Sequence, residues 1–259
     1  MTTPVALVTA SSAGLGAAVV KALCPHYRVV VNYLTRPEKA AEVVKECEAI
    51  PTLHPPPPTP PQPPRFHRVQ ADLSQRSEIQ RLVAETVATM GRLDVVVSNG
   101  GWTRLTDFAD LDQNVDEPDW DRCFAMNVKA HLWLFHAARP HLAANAGGGS
   151  FLTVASVAGV RPSGSSLAYA VTKAAAIHLT KALATIAGPQ QIRCNCVSPG
   201  LMMTEWGRRF PDAAVQAAAR RAVLKRLAAV DDVAGHVRAL VMSNSITGQN
   251  VVVDAGVAI

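Results

Sequence analysis

The chain has 259 residues, of which 49% are apolar and 17% are charged. This length suits one large α/β domain or two small ones, and the composition is ordinary for a globular protein. The formal net charge of +5 comes without a basic cluster longer than three residues, so nucleic-acid binding is not expected. No run of about 18 apolar residues occurs, and the chain begins directly with a predicted strand, so neither a membrane span nor a signal peptide is expected.

The cysteines and histidines show no pattern typical of disulfides or metal sites. The five cysteines form no CxxC pair and no even framework, which favours a reducing compartment, and we predict a cytoplasmic protein. The eight histidines show no ligand spacing, and His131, His136 and His141 drift around a predicted helix. We expect satisfied structural histidines and no metal.

Seven short β-branched runs alternate with stretches whose apolar residues recur every three or four positions. This alternation predicts a parallel sheet covered by helices on both faces. We expect a single α/β domain over residues 1–259, a doubly wound seven-stranded sheet of the Rossmann type. The predicted strands are Val5–Thr9, Val29–Tyr33, Arg68–Ala71, Asp94–Asn99, Phe151–Ser156, Ile192–Ser198 and Asn250–Asp254, and the clearest helices are Ile79–Met90, Val128–Leu142, Ala174–Ile186 and Asp231–Met242.

One segment departs from this alternation. Residues 51–64 read PTLHPPPPTPPQPP and hold nine of the 18 prolines. Because proline fixes φ and lacks an amide donor, the run predicts an extended surface loop between the second helix and the third strand. We interpret it as a tolerated surface insertion, and the alternative is a docking peptide for an SH3- or WW-like partner.

The stretch from Val5 to Gly16 offers a strand, a turn of small residues and a helix start, in the order that a pyrophosphate site requires. Anions bind at helix N-termini because free N–H groups and the positive end of the dipole converge there. Gly14 would let the backbone approach the ligand, and Gly16 would let the helix pack close to the sheet. Ser11 and Ser12 would add hydroxyl donors.

Tyr169 and Lys173 stand one helical turn apart, on one face of a predicted helix. A tyrosine pKa of about 10 is too high for proton exchange at neutral pH, and a neighbouring ammonium group stabilises the phenolate. Ser156 ends a predicted strand and could hydrogen-bond a substrate oxygen. A Tyr/Lys pair alone is more often a surface pair than a catalytic one, so other motifs decide the interpretation.

Further motifs lie at regular spacings along the chain: SNGG (98–101), MNV (126–128), SLAYAVTKAA (166–175), VSPGLMMTEW (197–206) and SITGQNVVVDAG (245–256). Together with the glycine turn they resemble the short-chain dehydrogenase/reductase family in its Tyr-x-x-x-Lys form. The resemblance spans nearly the whole chain and implies a nicotinamide-dependent oxidoreductase on a Rossmann fold. The proline-rich segment is the large departure.

Two motifs depart from the family pattern. The family turn reads Thr-Gly-x-x-x-Gly-x-Gly, and Ala10 stands here at the first glycine. Alanine also occurs there in working members, and we expect it to be accepted with a negative φ. The family's Asn-Asn-Ala-Gly is here SNGG, so Ser98 differs while Asn99 is kept. These changes bear on the rigidity of the loops rather than on cofactor binding.

The end of the second strand favours NADP over NAD. An acidic residue there would bind the 2′-hydroxyl of NAD, but Asn32 and Tyr33 hold that place, and Arg36 can offer a forked cation to a phosphate. A solvated Arg36 is the alternative, and Ala13 stands where many NADP members carry a basic residue. The cofactor-binding residues implied by the resemblance are Thr9, Ser11, Ser12, Gly14, Leu15, Gly16, Asn32, Tyr33, Arg36, Asp72, Leu73, Asn99, Gly100, Tyr169, Lys173, Pro199, Gly200 and Thr204.

The resemblance also implies the chemistry. Tyr169 would exchange a proton with the substrate oxygen, Ser156 would hold that oxygen, and Lys173 would tune the tyrosine. Asn127 would order a water on a proton path from Lys173. We therefore expect an enzyme that interconverts a ketone and a secondary alcohol by hydride transfer with NADP(H). The alternative is a non-catalytic dinucleotide sensor or scaffold on the same fold.

Residues 201–228 are predicted to form a lid over the substrate, with a helix from about Pro211. Their methionine and aromatic side chains favour a bulky or cyclic substrate, although ordinary lid packing explains them equally well. The predicted substrate contacts are Trp102, Arg161, Met202 and Trp206.

The predicted helices over about 124–144 and 169–187 are apolar on more than one face, as LWLF at 132–135 illustrates. A chain that buries helices only against its own sheet would not need this. Family members commonly pair through these helices. We therefore predict a homotetramer, with a dimer as the alternative.

Overall fold

The computed structural model describes residues 3–53 and 63–259, and their strands form one parallel sheet. The strands are β1 (Val5–Val8), β2 (Arg28–Tyr33), β3 (Phe66–Gln70), β4 (Val95–Ser98), β5 (Ser150–Val154), β6 (Arg193–Pro199) and β7 (Asn250–Val253). Their order across the sheet is β3-β2-β1-β4-β5-β6-β7. All seven lie where the sequence predicts a strand, with ends that differ by one or two residues.

Helices cover both faces of the sheet. They are α1 (Gly14–Leu23), α2 (Pro37–Glu48), α3 (Arg76–Met90), α4 (Glu117–Phe124), α5 (Ala130–Ala143), α6 (Leu167–Ala187), α7 (Asp212–Arg221) and α8 (Val230–Met242). A π-helical turn over Ala125–Lys129 joins α4 to α5, so the predicted helix over Val128–Leu142 begins as a wider turn. The seven-stranded, doubly wound Rossmann-type sheet is confirmed.

The strands are apolar throughout because each packs against helices on both sides. Successive side chains point to opposite faces, so Leu7 joins the core formed with α3, α5 and α6, whereas Val8 joins the core formed with α1, α2 and α8. In the first core, Phe135 meets Phe151 edge to face with ring centroids 5.2 Å apart.

The strand order reverses between β1 and β4, which opens a crevice at the carboxyl ends of these strands. Most of the proline-rich segment, residues 54–62, lies outside the described residues. Its flanks join α2 to β3, as predicted. Among the residues that the structure describes, no helix combines the length and the apolar character of a membrane span.

Candidate active site

A cavity of about 1300 Å³ opens at the carboxyl ends of β1, β2, β4, β5 and β6. It exceeds the roughly 300–1,000 Å³ of a typical small-molecule pocket, so it has room for two ligands side by side. Eighteen of the predicted site residues line it: Ser12, Gly14, Leu15, Asn32, Tyr33, Arg36, Asp72, Leu73, Asn99, Gly100, Ser156, Tyr169, Lys173, Pro199, Gly200, Met202, Thr204 and Trp206.

Ala10 occupies the left-handed region with a φ of 48°, so the expectation of a negative φ is wrong. Its N–H donates to Asn32 Oδ1 over 2.9 Å, and its carbonyl accepts from Asn99 Nδ2 over 3.1 Å. These bonds hold a conformation that a glycine adopts freely and that costs an alanine roughly 1–2 kcal/mol. The neighbouring strands therefore impose the turn on a residue that disfavours it.

Three residues predicted to bind the cofactor do not line the cavity and instead build the turn from within. Ser11 is completely buried, and its Oγ donates to a carbonyl of β1 over 2.7 Å, so it is not free to bind a phosphate. Thr9 Oγ1 accepts from Asn99 N over 2.9 Å, which ties the end of β1 to the end of β4. A Cβ on Gly16 would lie 2.5 Å from the carbonyl oxygen of Ala10, so only glycine allows this close approach.

The N-terminus of α1 faces the cavity without a side-chain cap. Ala13 is the N-cap residue and offers no hydrogen-bond acceptor to the first amides of the helix. Ser12, Ala13, Gly14 and Leu15 all line the cavity. Uncapped amides at a helix start are the donors that a pyrophosphate requires, so the turn fits a dinucleotide.

The adjoining wall is shaped by Gly100 and Leu73. A Cβ on Gly100 would lie 2.4 Å from Leu73 Cδ1, so the leucine can occupy this place only beside a glycine. Asp72 lines the same part of the cavity, and its Oδ1 accepts from Ser74 N over 2.8 Å. This contact fixes the carboxylate at the end of the third strand.

Tyr169 and Lys173 project from the first turns of α6, which Ser166 caps by accepting from Tyr169 N over 3.2 Å. Lys173 Nζ lies 5.6 Å from the centroid of the Tyr169 ring and donates to the Val154 carbonyl over 2.8 Å. Ser156 follows β5 and lines the same cavity wall. The structure thus brings the predicted tyrosine, lysine and serine together.

Burial dominates the electrostatics of this pair. It raises the pKa of Tyr169 to about 12, against the opposing effect of the Ser156 side chain. It lowers the pKa of Lys173 to about 8. Desolvation of the phenolate therefore leaves Tyr169 a weaker acid than a free tyrosine. A further positive charge near the phenol is needed to bring its pKa towards neutrality.

Asn127 is completely buried within the π-helical turn and does not line the cavity. Its Oδ1 accepts from Trp102 N over 2.8 Å, and its Nδ2 donates to the Trp102 carbonyl over 2.9 Å and to Thr172 Oγ1 over 3.0 Å. Such π-helical turns frequently mark functional sites. Asn127 therefore clamps the loop after β4 to α6.

Gly101 was not among the predicted site residues, yet it lies between two of them. A Cβ on Gly101 would lie 3.2 Å from Asn127 Oδ1 and 3.4 Å from Lys173 Nζ. The asparagine oxygen and the ammonium group therefore meet beside the same α-carbon. This places Asn127 where it can position a hydrogen-bonded partner of Lys173.

Trp102 and Arg161, two of the four predicted substrate contacts, do not line the cavity. The Arg122 guanidinium covers Trp102, 4.6 Å from a ring centroid, and Asn127 holds the tryptophan backbone. Arg161 Nη1 donates to the Val257 carbonyl over 2.7 Å, so it ties the segment after β5 to the C-terminal residues. Both residues serve local packing.

The predicted phosphate-binding cation already has an anionic partner. Arg36 Nη1 lies 2.7 Å from Glu205 Oε2, and Lys39 Nζ contacts the other oxygen of the same carboxylate. Neither Lys39 nor Glu205 was predicted as a site residue. Lys39 could have been found, since it follows Arg36 by one helical turn. Glu205 is 169 residues away from Arg36, and no local pattern connects them.

His131 lies one helical turn after Asn127 and is buried, with its Nδ1 2.6 Å from Ser98 Oγ. Its Nε2 has no hydrogen-bond partner among the described residues, so the expectation of satisfied histidines is wrong here. Burial lowers the pKa of His131 to about 3, and the Lys173 ammonium acts in the same direction. Ser98, which departs from the family pattern, therefore pairs with a neutral imidazole.

We expect His131 to make the protein sensitive to acid. Its pKa is about 3 in the folded chain against 6.5 in the unfolded chain, so between these values the unfolded chain binds more protons, and stability falls as the pH falls. His131→Asn should flatten this dependence by up to about 1.4 kcal/mol per pH unit, measured by denaturant unfolding from pH 7 to pH 4. The exposed His178→Asn serves as control, and equal slopes for wild type and His131→Asn would contradict the assignment.

The remaining titratable side chains provide no metal site that the structure reveals. Within residues 3–53 and 63–259, no three histidine, cysteine, aspartate or glutamate side chains cluster as metal ligands do. All five cysteines are free and buried.

Comparison with known proteins agrees with the fold. A family model described as enoyl-(acyl carrier protein) reductase matches residues 9–258. A protein of Streptomyces violaceoruber, named as a ketoacyl reductase of the granaticin polyketide synthase, is 38% identical over 256 residues, which are 98% of this chain and 95% of that protein.

Two solved structures extend the comparison. A short chain dehydrogenase from Burkholderia cenocepacia in complex with NADP matches with a TM-score of 0.86 at 29% identity, covering 100% of this chain and 99% of that chain. A 3-ketoacyl-(acyl-carrier-protein) reductase from Brucella melitensis complexed with NADH matches with a TM-score of 0.84 at 25% identity, with coverage of 100% and 99%. With its Tyr-x-x-x-Lys pair at the end of a seven-stranded Rossmann-type sheet, the chain belongs to the short-chain dehydrogenase/reductase family of oxidoreductases.

Proposed function

We propose that the protein is an NADP(H)-dependent oxidoreductase that interconverts a ketone and a secondary alcohol. The observation that carries the proposal is that Tyr169, Lys173 and Ser156 line the same cavity as the uncapped start of α1. The helix start would hold the pyrophosphate of a dinucleotide, and the rest of the cavity would hold its nicotinamide half and the substrate. The segment 201–228 then covers the space left for a carbonyl compound.

The side chains divide the proton chemistry between them. Ser156 Oγ hydrogen-bonds the substrate oxygen, and the Tyr169 hydroxyl gives that oxygen a proton during reduction or removes it during oxidation. Lys173, held by the Val154 carbonyl, places a positive charge beside the phenol. Asn127 positions the loop at Gly101, next to the ammonium group. When bound, the nicotinamide supplies or accepts the hydride.

Two cations support the preference for NADP. Arg36 and Lys39 open α2 directly after β2, and the strand ends in Asn32 and Tyr33 rather than in a carboxylate. A 2′-phosphate placed there would meet a guanidinium and an ammonium group. Of the two solved relatives described above, one was solved with NADP and the other with NADH, so the proposed preference rests on these two cations.

Arg36→Ala is expected to narrow the difference in affinity between NADP(H) and NAD(H). One charge-assisted contact is worth about 1.5–3 kcal/mol, so NADP(H) binding should weaken roughly ten- to hundredfold while NAD(H) binding changes little. Calorimetric titration of both cofactors measures this, with Arg76→Ala at the start of α3 as control. Tighter binding of NAD(H) than of NADP(H) by the wild type would overturn the cofactor assignment.

The walls beneath the lid favour a bulky or cyclic substrate. Leu105, Trp206, Phe210, Leu227 and Val257 give this part of the cavity an apolar, partly aromatic lining. Such a lining favours a large apolar carbonyl compound over a small polar one. The relatives named as ketoacyl reductases are consistent with this proposal.

A screen of ketones and alcohols with NADPH and NADP, followed by nicotinamide absorbance, tests the proposed function. Turnover of at least one bulky ketone or secondary alcohol is expected, with faster turnover for NADPH than for NADH. Tight binding of the dinucleotide without turnover of any substrate would favour a sensor or scaffold. A pull-down with and without residues 51–64 tests the separate hypothesis of a docking peptide.

We expect the protein to assemble as a homotetramer. Leu132 of α5 and Val171 and Ile186 of α6 are 41%, 40% and 61% exposed, so the outer faces of two long helices remain apolar. Light scattering at micromolar concentration should give four times the chain mass of 27.5 kDa. Val171→Glu should lower that mass and Val115→Glu, in an exposed loop, should not, whereas a monomeric wild type would contradict the prediction.

The location in the cell remains a prediction. The five free, buried thiols suit a reducing compartment, and we propose the cytoplasm.

A further inference from the structure

Glu205 forms an ion-pair bridge over the cofactor part of the cavity. Its carboxylate follows Thr204 in the segment after β6, whereas Arg36 and Lys39 belong to the start of α2, after β2. In the sheet, β2 and β6 are separated by β1, β4 and β5. Arg36, Thr204 and Glu205 all line the cavity. The bridge therefore crosses the cavity from one wall to the other.

The charges around this bridge favour an ionised carboxylate. Lys39 and Arg36 hold the pKa of Glu205 at about 2, well below its usual range. Glu38 lies between the two cations in sequence, is exposed and forms no ion pair among the described residues. Asp72 also lines the cavity, but its Oδ1 accepts from Ser74 N. Glu205 is thus the carboxylate that contacts both cations.

We propose that Glu205 competes with the cofactor's 2′-phosphate for Arg36 and Lys39 and so limits the preference for NADP over NAD. This inference rests on the proposed function, since it assumes that a nicotinamide dinucleotide binds in the cavity. A phosphate and a carboxylate repel each other when they share the same two cations, so the phosphate must displace Glu205. NAD brings a hydroxyl group, which can donate to the carboxylate and leave the bridge intact.

The exposure of the bridge suits such an exchange. The side chains of Arg36 and Lys39 are 41% and 34% exposed, and that of Glu205 is 49% exposed. Ion pairs this open to water are weak and easily replaced. A phosphate carries more charge than a carboxylate and has more acceptor oxygens, so it can take over both cations. Breaking the ion pairs of Glu205, however, offsets part of the free energy that the 2′-phosphate gains from the two cations.

Glu205→Gln tests the proposal, because glutamine keeps the shape of the side chain and removes its charge. ADP-ribose and 2′-phospho-ADP-ribose are titrated calorimetrically at an ionic strength of about 0.15 M. Neither carries a nicotinamide, so no turnover is involved. We expect the variant to bind 2′-phospho-ADP-ribose about five- to tenfold more tightly than the wild type, with ADP-ribose changed less than about twofold. Glu38→Gln removes the same charge two residues after Arg36 and one residue before Lys39, and it should leave both affinities within about twofold.

Three results would overturn the proposal. Glu205→Gln could leave the ratio of the two affinities unchanged, it could weaken 2′-phospho-ADP-ribose, or Glu38→Gln could shift the ratio equally. Retained binding of ADP-ribose shows that the variant is folded. If wild-type protein binds neither nucleotide, the proposed function fails together with this inference, and that result differs from an unchanged ratio in a protein that binds both.

Discussion

Tyr169→Phe is expected to lower turnover at least about 10²-fold while NADPH binding hardly changes. Phenylalanine keeps the ring and its packing and removes the hydroxyl that exchanges a proton with the substrate oxygen. Any contact between the cofactor and the aromatic ring of residue 169 is kept in the variant. Steady-state NADPH oxidation with an accepted ketone, beside a binding titration, measures the two effects separately.

Tyr27→Phe is the matched control, because it removes a hydroxyl from a tyrosine that does not line the cavity. It should leave turnover within about twofold of the wild type. Ser156→Ala should lower turnover with little effect on NADPH affinity, since its hydroxyl serves the substrate oxygen. If Tyr169→Phe keeps most of the wild-type rate, the proton comes from another group and the proposed mechanism is wrong.

Lys173→Met should damage both catalysis and cofactor binding. Loss of the ammonium group leaves the phenol of Tyr169 without its nearest positive charge, so turnover should fall at least about 10²-fold. By family resemblance the ammonium also bonds the nicotinamide ribose, and a lost charge-assisted bond should weaken NADPH binding roughly tenfold or more. Lys181→Met, two turns later on the exposed side of α6, should do neither.

The same substitution has a pH signature. Lys173 titrates at about 8 in the folded chain against 10.5 in the unfolded chain, so between these values the unfolded chain binds the additional proton. Wild-type stability should therefore rise relative to Lys173→Met as the pH increases through this window. Denaturant unfolding from pH 7 to pH 10 measures the difference. A difference that stays constant with pH would mean that burial does not lower the pKa of Lys173.

The sequence predicts the sheet well because each strand is apolar throughout and each crossover carries a helical repeat. Helix ends are predicted less closely: the clearest apolar repeat begins at Ala174, whereas α6 begins at Leu167, because the cap at Ser166 leaves no mark in that repeat. Tyr169, Lys173 and Ser156 are found from sequence because their spacing, together with the other motifs along the chain, resembles one family.

The rest of the site depends on contacts between distant residues. The Glu205 bridge to Arg36 joins positions that no local pattern relates. The hydroxyl of Ser11 donates to a carbonyl of β1, so it is not available to a ligand. The sequence cannot show this, because the bond forms only when the turn is folded. The positive φ of Ala10 follows from hydrogen bonds to two other strands, so the residue type misleads.

Helix α7 has ten residues, and none of them is buried. A helix of this length is only marginally stable in water unless something packs against it. Its helix–coil balance must therefore depend on what fills the cavity below, which Ala214, Ala217 and Ala218 border. We therefore expect part of the free energy of binding a large apolar molecule there to go into ordering this helix, so that a measured affinity would understate the strength of the direct contacts.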